Sequence, residues 1–321
     1  FFIGFPGVSP LQLRVQNQPL SLKDVLYYNE SVAQLITFLH PLGSTSDFFK
    51  VLKDRNYINV DAGIPIASIG FGSPSKGRFI AFDITERVNT QVGFPGDLLK
   101  LPIYGPGSDK FFDFNGLGID LLAYMELAAN VSQKINDKIT VGWRGKILMG
   151  QASLSTSKFD VTLATSEEEW VFRSNIIMDA ALPFVNLVKD ADGMIDPDSS
   201  DLISDPLSSL PSLIANPKNA GLAMDVGVNV QAMDNLFLSA SIVDFGSIKW
   251  KDKVYNLESR GNYDYTGVEV TLNGIDPIET MLDSLREEVK ISSSEEAYRT
   301  WLPTKIYLGA SYFVHPKISF G

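Results

Sequence analysis

Cysteine is absent from all 321 residues, and histidine occurs only twice. Without thiols the chain has no disulfide framework, no cysteine nucleophile and no thiolate metal centre. The two histidines stand apart, His40 in the apolar stretch Phe38-Leu39-His40-Pro41 and His315 in the turn-like His315-Pro316-Lys317. They offer no basis for a hydrolase triad or a multi-histidine metal site, so neither an enzyme nor a cofactor is expected. There is no run of 18 apolar residues, which excludes a membrane-spanning helix despite 45% hydrophobic residues and a mean hydropathy of +0.05. Lysine and arginine number 27 against 38 aspartate and glutamate, a net charge of −11, and no basic run tracks a phosphate backbone. Nucleic acid is therefore not an expected partner. The start, Phe1-Phe2-Ile3-Gly4, lacks a charged leader and cleavage site, which predicts a trimmed chain. Beyond Lys317 only Ile318-Ser319-Phe320-Gly321 follow, so a continuation past Gly321 is expected.

What the chain does have is alternation. From Leu117 to Val131 every odd position is apolar, while the even positions include Asp120, Tyr124, Glu126 and Asn130. A period of two is a strand with one oily face. Soluble strands run to about five or six residues, and a tilted transmembrane strand needs about 9–11, which this segment exceeds. Charge on the other face suits a water-filled lumen better than a packed core. The pattern recurs in Arg78–Val92, where Ile80, Phe82, Ile84, Val88 and Val92 oppose Asp83, Thr85, Arg87, Asn89 and Gln91, with Glu86 breaking the apolar side. It recurs again in Lys138–Gly150, Ala220–Ala232 and Leu302–Val314. The expected fold is all-β, a transmembrane antiparallel up-and-down β-barrel in a Gram-negative outer membrane, because only closure pairs every backbone group in lipid.

Residues opposed in an antiparallel pair must share a face, so strands with apolar sets of the same parity require odd loops. A loop at Asn136-Asp137-Lys138 satisfies this, as does Met233-Asp234-Asn235, which pairs Val230 with Leu238, Val228 with Ala240 and Val226 with Ile242. His315-Pro316-Lys317 would pair Val314 with Ile318, and Ser73-Pro74-Ser75-Lys76-Gly77 is a fourth tight turn on the same side. The predicted crossings are 8–17, 58–71, 78–92, 117–132, 139–154, 159–165, 170–182, 220–232, 236–250 and 302–314, with Ile318 opening another. The long connections, 18–56, 94–115, 183–219 and 251–299, fall on the other side, outside or plugging the lumen of a single domain. Helical pieces are expected at 21–28, 30–40, 46–55 and 277–290, and the strand-like 263–272 is assigned to an outer loop.

The segments Ile3-Gly4-Phe5-Pro6-Gly7-Val8-Ser9, Phe82-Asp83-Ile84-Thr85-Glu86-Arg87-Val88, Lys134 to Gly142, Ser241-Ile242-Val243-Asp244-Phe245-Gly246 with Ile248-Lys249-Trp250, and Leu302 to Ala310 carry a resemblance. They resemble a Bacteroidota outer-membrane family of unknown function (domain-of-unknown-function family 5723). The later motifs are similar to PorP/SprF-type and PorV-type barrels of the type IX secretion system, relatives of FadL-type channels. The resemblance implies a barrel of about fourteen strands with its last strands missing here. It further implies either FadL-like passive uptake of a small apolar ligand or a scaffold for other outer-membrane or secreted proteins, with outer-membrane lipid around it. Its motifs mark turns and strand ends, so they speak to fold more than to function.

Three groups of residues are candidates for chemistry. Asp83, Arg87, Asp120, Glu126, Arg144 and Lys146 form a lumen charge cluster, read as a constriction or as a cross-strand salt-bridge ladder stiffening the barrel. Phe94, Tyr104, Phe111, Phe112 and Phe114 lie in an aromatic and glycine-rich loop that would serve as a lid or a dock for a ligand or partner. Asp190, Asp192, Asp196 and Asp198 are dense in hard oxygen ligands similar to a calcium loop, but without the glutamate at its twelfth position. Gly70-x-Gly72 with Gly77 lacks the helix that a phosphate loop opens, and reads as a hairpin turn.

Overall fold

A computed structural model describes residues 2–4, 11–105, 110–191, 193–196, 200–202, 216–266, 290–315 and 318–320. They build one 15-stranded antiparallel sheet with two small two-stranded sheets beside it. Its principal strands are β1 (Gln12–Gln18), β2 (Asn56–Ser73), β3 (Arg78–Phe94), β4 (Gly118–Lys134), β5 (Ile139–Thr165), β6 (Trp170–Ala181), β7 (Ala220–Met233), β8 (Leu236–Trp250), β9 (Val254–Tyr265) and β10 (Lys305–His315). The pairing order is β1-β2-β3-β4-β5-β7-β8-β10. The sheet curls strongly, since Lys305 Nζ on β10 stands 3.9 Å from Asp61 Oδ2 on β2 although five strands separate them in that order.

The expected registers hold where the alternation is cleanest. Val131 opposes Trp143, Val230 opposes Leu238, Val228 opposes Ala240 and Val226 opposes Ile242. The β7–β8 turn is tighter than expected, because Met233 pairs Leu236 and a bulge after Gln231 absorbs the extra residue. Tyr312 opposes Phe320 and Phe313 opposes Ser319, the register expected there, before a shift brings His315 opposite Ile318. The turn after β2 has four residues rather than five, since Ser73 itself pairs Arg78. Parity survives because a bulge between Pro65 and Ala67 has already flipped the faces of β2: Ile58 and Ile64 are exposed before it, Ile69 and Phe71 after it. Pro65 lies at this bulge, where proline is tolerated in a sheet. A 3-10 turn at Pro74–Lys76 and Gly77 at φ +57° complete the hairpin that the glycines announced.

The crossing expected after residue 154 does not form as a separate strand. The segments 139–154 and 159–165 are not two crossings but a single strand of 27 residues, β5. Its first half pairs β4 and β7, and its second half pairs β6 from Ser153 to Thr165. β6 in turn pairs β9 along its whole length, so 170–182 branches off the principal pairing order of the sheet. Together these strands extend the sheet beyond the curled part, at the end carrying the long connections. The polar run Ser153-Leu154-Ser155-Thr156-Ser157-Lys158 has the composition of a turn, but pairing with β6 along it overrides that, with β4 adding a second partner at Ser153 and Leu154.

The long connections also differ in detail. Glu30–His40 is not helical, since Leu26–Asn29 and Gln34–Thr37 form a hairpin, while helices occupy only Leu22–Val25 and Thr45–Val51. An unforeseen helix spans Gly96–Tyr104. The expected 277–290 helix lies, but for Lys290, outside the described residues. Val254–Tyr265 is a strand at the long-connection end, as expected for 263–265. β10 starts at Lys305 rather than Leu302, because 302–304 step around a bulge in β8 before Tyr298–Trp301 pairs β8 again.

Some glycines leave room for a neighbouring strand and others do not. A Cβ on Gly246 would collide with the backbone of Leu222 and Ala223, whereas one on Gly142 meets open space. Gly246→Ala should therefore cost about 1–3 kcal/mol, and Gly142→Ala within about 0.5 kcal/mol, in denaturant unfolding. Equal midpoints for the two variants would contradict the β7–β8 packing.

Candidate functional site

The two faces of the sheet carry opposite chemistry. On β4 the even residues Leu122, Tyr124, Glu126 and Ala128 are buried on the concave side, and the odd residues face outward. Glu126 is 0% exposed and Lys146 4%, whereas Leu308 is 82%, Ile306 71% and Leu222 70% exposed. Around Glu126 and Lys146 charge lies inside and hydrocarbon outside, the inverse of a water-soluble sandwich.

The concave charges assemble through room left by small neighbours. In register across β3, β4, β5 and β7 stand Ala81, Asn130, Arg144 and Asp225, and in the next row Asp83, Ala128, Lys146 and Ala223. The alanines let long side chains reach diagonally between rows. Arg144 Nη2 donates to Asp83 Oδ1 at 2.5 Å and to Glu126 Oε1, while its Nη1 donates to Asn130 Oδ1 at 3.2 Å. Lys146 Nζ contacts Asp225 Oδ1 at 2.7 Å and donates to Asp244 Oδ1 at 2.5 Å. Arg87 Nε and Lys146 Nζ each stand 3.8 Å from Glu126 Oε2, which accepts no hydrogen bond among the described residues. Asp244 turns inward because it sits at the β8 bulge with φ +61°, a conformation aspartate tolerates, and its N–H donates to Asp225 Oδ1 at 2.7 Å.

Of the six residues expected in the cluster, Asp83, Arg87, Glu126, Arg144 and Lys146 come together. Asp120 does not. It lies six residues from Glu126, about 20 Å along the strand, and accepts from Ser155 Oγ at 2.8 Å. Asp225 and Asp244 join instead. Asp225 was legible as the polar face of β7, but Asp244 depends on a bulge that alternation does not reveal. Glu86, the break in the apolar face of β3, accepts from Gln151 Nε2 at 3.1 Å, and Gln151 is the bulged residue of β5.

Beside the cluster, toward the long connections, the concave face is apolar. Leu122, Tyr124, Leu148, Ile248, Trp250 and Leu302 pack together, and Trp250 Nε1 donates to Thr300 Oγ1 at 3.0 Å. A cavity of about 440 Å³ faces Arg87, Arg144 and Lys146. A second, of about 460 Å³, reaches toward Asp120 and Ser155 and shares Asp61, Asn89, Pro303 and Lys305 with the first.

The aromatic loop is built into the structure rather than free above it. Lys110–Asp113 pairs the end of β5, and Phe112 and Phe114 are buried against Val161, with Leu98, Leu101 and Phe172 around them. Phe111 and Tyr104 remain exposed, Tyr104 with its ring 5.2 Å from that of Phe49, and Phe94 is half-buried at the end of β3. Of the calcium candidates, Asp192 and Asp198 lie outside the described residues, and Asp190 Oδ1 accepts from the Met194 N–H at 2.9 Å.

These features define an antiparallel all-β protein with a buried cross-strand ion network and an apolar outer surface. Residues 1–321 match the profile of a family of unknown function, DUF5723, and the chain belongs to that family. No curated protein and no solved structure matches it.

Removing one member of a buried ion pair leaves the other charge uncompensated, a loss of about 3–5 kcal/mol. Glu126→Ala should cost that much, and Glu126→Ala combined with Arg144→Met less than the sum of the single changes. A double-mutant cycle from unfolding midpoints measures the difference; strict additivity would mean the two groups do not support each other.

Proposed function

We propose that the chain is a non-enzymatic, integral outer-membrane β-barrel whose interior passes a small solute passively, in the manner of the FadL-type channels that its later motifs resemble. The inverted distribution of polarity carries this reading. Isoleucine, leucine, valine, phenylalanine and tryptophan side chains on β2, β3, β5, β7, β8 and β10 are exposed to the outside, among them Phe82, Trp143, Ile147, Val226, Ile242 and Leu308. Soluble monomers rarely expose contiguous apolar patches beyond a few hundred Å². In lipid the same face is stabilised, and the buried charges lie against a hydrated interior rather than a dry core. The strands of 14 to 18 residues are longer than the roughly 9–11 residues that a tilted transmembrane strand needs. The two cavities sharing Asp61 and Lys305 support passage, and the polar lining of the first favours a polar solute over the apolar ligand that kinship implies. The exposed Tyr104 and Phe111 would meet a ligand only at the entrance.

A second reading, a partner or scaffold barrel of the type IX kind, is favoured by one observation. The extension made by β5, β6 and β9 presents a polar face with Asp160, Thr162, Arg173, Asn175, Arg260 and Asn262 around a recess of about 590 Å³. Such a face suits another protein above the membrane. Conductance across planar bilayers separates the two: steady channels support passage, and a silent protein recovered from native membranes with a stoichiometric partner supports the scaffold.

The membrane reading itself predicts that the purified chain floats with phospholipid vesicles. Ile147→Arg, on the outer face of β5, should weaken insertion by about 2–4 kcal/mol if that site lies near the midplane. Recovery of the chain as a soluble monomer without detergent would overturn it.

A further inference from the structure

We infer that the concave cavity beside the ion network is a binding site for a small anion carrying carboxylate or phosphate groups. The inference comes from how the charged groups lining it are already occupied. The carboxylates are well served. Asp61 Oδ1 accepts from Asn89 Nδ2 at 2.7 Å, Asp225 Oδ1 meets Lys146 Nζ and the Asp244 N–H at 2.7 Å each, and Asp244 Oδ1 accepts from Lys146 Nζ. The cations nearest the open space are not. Lys305 Nζ has its nearest carboxylate oxygen, Asp61 Oδ2, at 3.9 Å. Arg87 makes one long hydrogen bond, from Nη1 to Gln12 Oε1 at 3.3 Å, and its Nε stands 3.8 Å from Glu126. Arg14, opposite Asp61 in register, makes no ion pair among the described residues. An ammonium carries three donors and a guanidinium five, so these three groups hold most of their donor capacity in reserve.

Their placement is specific. The Arg87 guanidinium lies over Gly63, where Nη1 would be 2.9 Å from an added Cβ, so the glycine makes its position available. Lys305 is beside Asp61, two residues along the same face of β2, so both cationic heads border the same space. Tyr307, also on the cavity wall, adds a hydroxyl. At about 440 Å³, opening into a further 460 Å³, the space is within the range of small-molecule sites. Summed over Asp61, Asp83, Glu126, Asp225 and Asp244 against Arg14, Arg87, Arg144, Lys146 and Lys305 the formal charge is zero, so the preference for an anion arises from unfilled donors and not from bulk field. As the solute class for passage, the inference rests on the uptake reading; as a binding site it stands on the concave face alone.

Calorimetric titration of the full chain in mild detergent and low-salt buffer tests it, with succinate, citrate and inorganic phosphate as probes and putrescine as the cationic counter-probe. At least one anion should bind at one site per chain. Lys305→Gln and, on the exposed edge strand, Arg14→Gln should each weaken it about tenfold or more, Lys305→Arg should retain it within about threefold, and Lys138→Gln, in a turn, should leave it unchanged. No heat from any of the three anions, preferential uptake of putrescine, or an affinity indifferent to both Lys305→Gln and Arg14→Gln would overturn the site. Vesicle flotation of the same preparation reports the membrane reading separately, so a chain that floats without binding anions defeats this inference and leaves that reading standing.

Discussion

The fold is organised around the salt bridge between Arg144 and Glu126, with Asp83 as its third member. Transferring such groups out of water costs several kcal/mol per ion, and the cost is offset only when each charge finds well-placed partners. A curled sheet with alternating faces provides them, because every second residue of β3, β4, β5 and β7 points to a shared interior. Register and chemistry are thereby locked together. Slipping one strand by a single residue would send Glu126 or Arg144 outward and bring a leucine or glycine in, breaking several ion pairs at once.

Given that constraint, the irregularities of the sheet make sense as parity corrections. The bulge in β2 compensates for a four-residue turn, the bulge near the β7–β8 turn absorbs an extra residue, and the bulge at Asp244 adds a carboxylate to the interior. Each sits where the alternation would otherwise place a residue on the wrong face. Small residues complete the arrangement: Ala81, Ala128 and Ala223 leave the volume that the arginine and lysine side chains cross.

Much of this is written in the alternation itself. The odd and even positions of 117–131 reveal which face is polar, and turn parity yields the Val228–Ala240 and Val131–Trp143 pairings without coordinates. Five of the six charges expected to cluster do so, because strand neighbours in sequence are neighbours in the sheet. The rest was hidden for identifiable reasons. Local polarity around Ser153–Lys158 imitates a turn, and only pairing with the distant β6 makes it a strand. Asp244 depends on a bulge, and Lys305 meets Asp61 through curvature of the whole sheet, a long-range effect that no local window contains. Nothing near Phe112 and Phe114 in sequence announces their burial, because their partners, Val161 and Phe172, come from the far half of β5 and from β6.

That extension has a further consequence. β5 passes without interruption from the curled part into the extension, changing partners between Met149 and Ser153, and returns through the hairpin to β6. Since faces repeat every two residues, both arms beyond Ser153 could lengthen or shorten by pairs of residues without altering any side chain below Gly150. The height of the projecting sheet is thus a free variable of the architecture, separable from its interior.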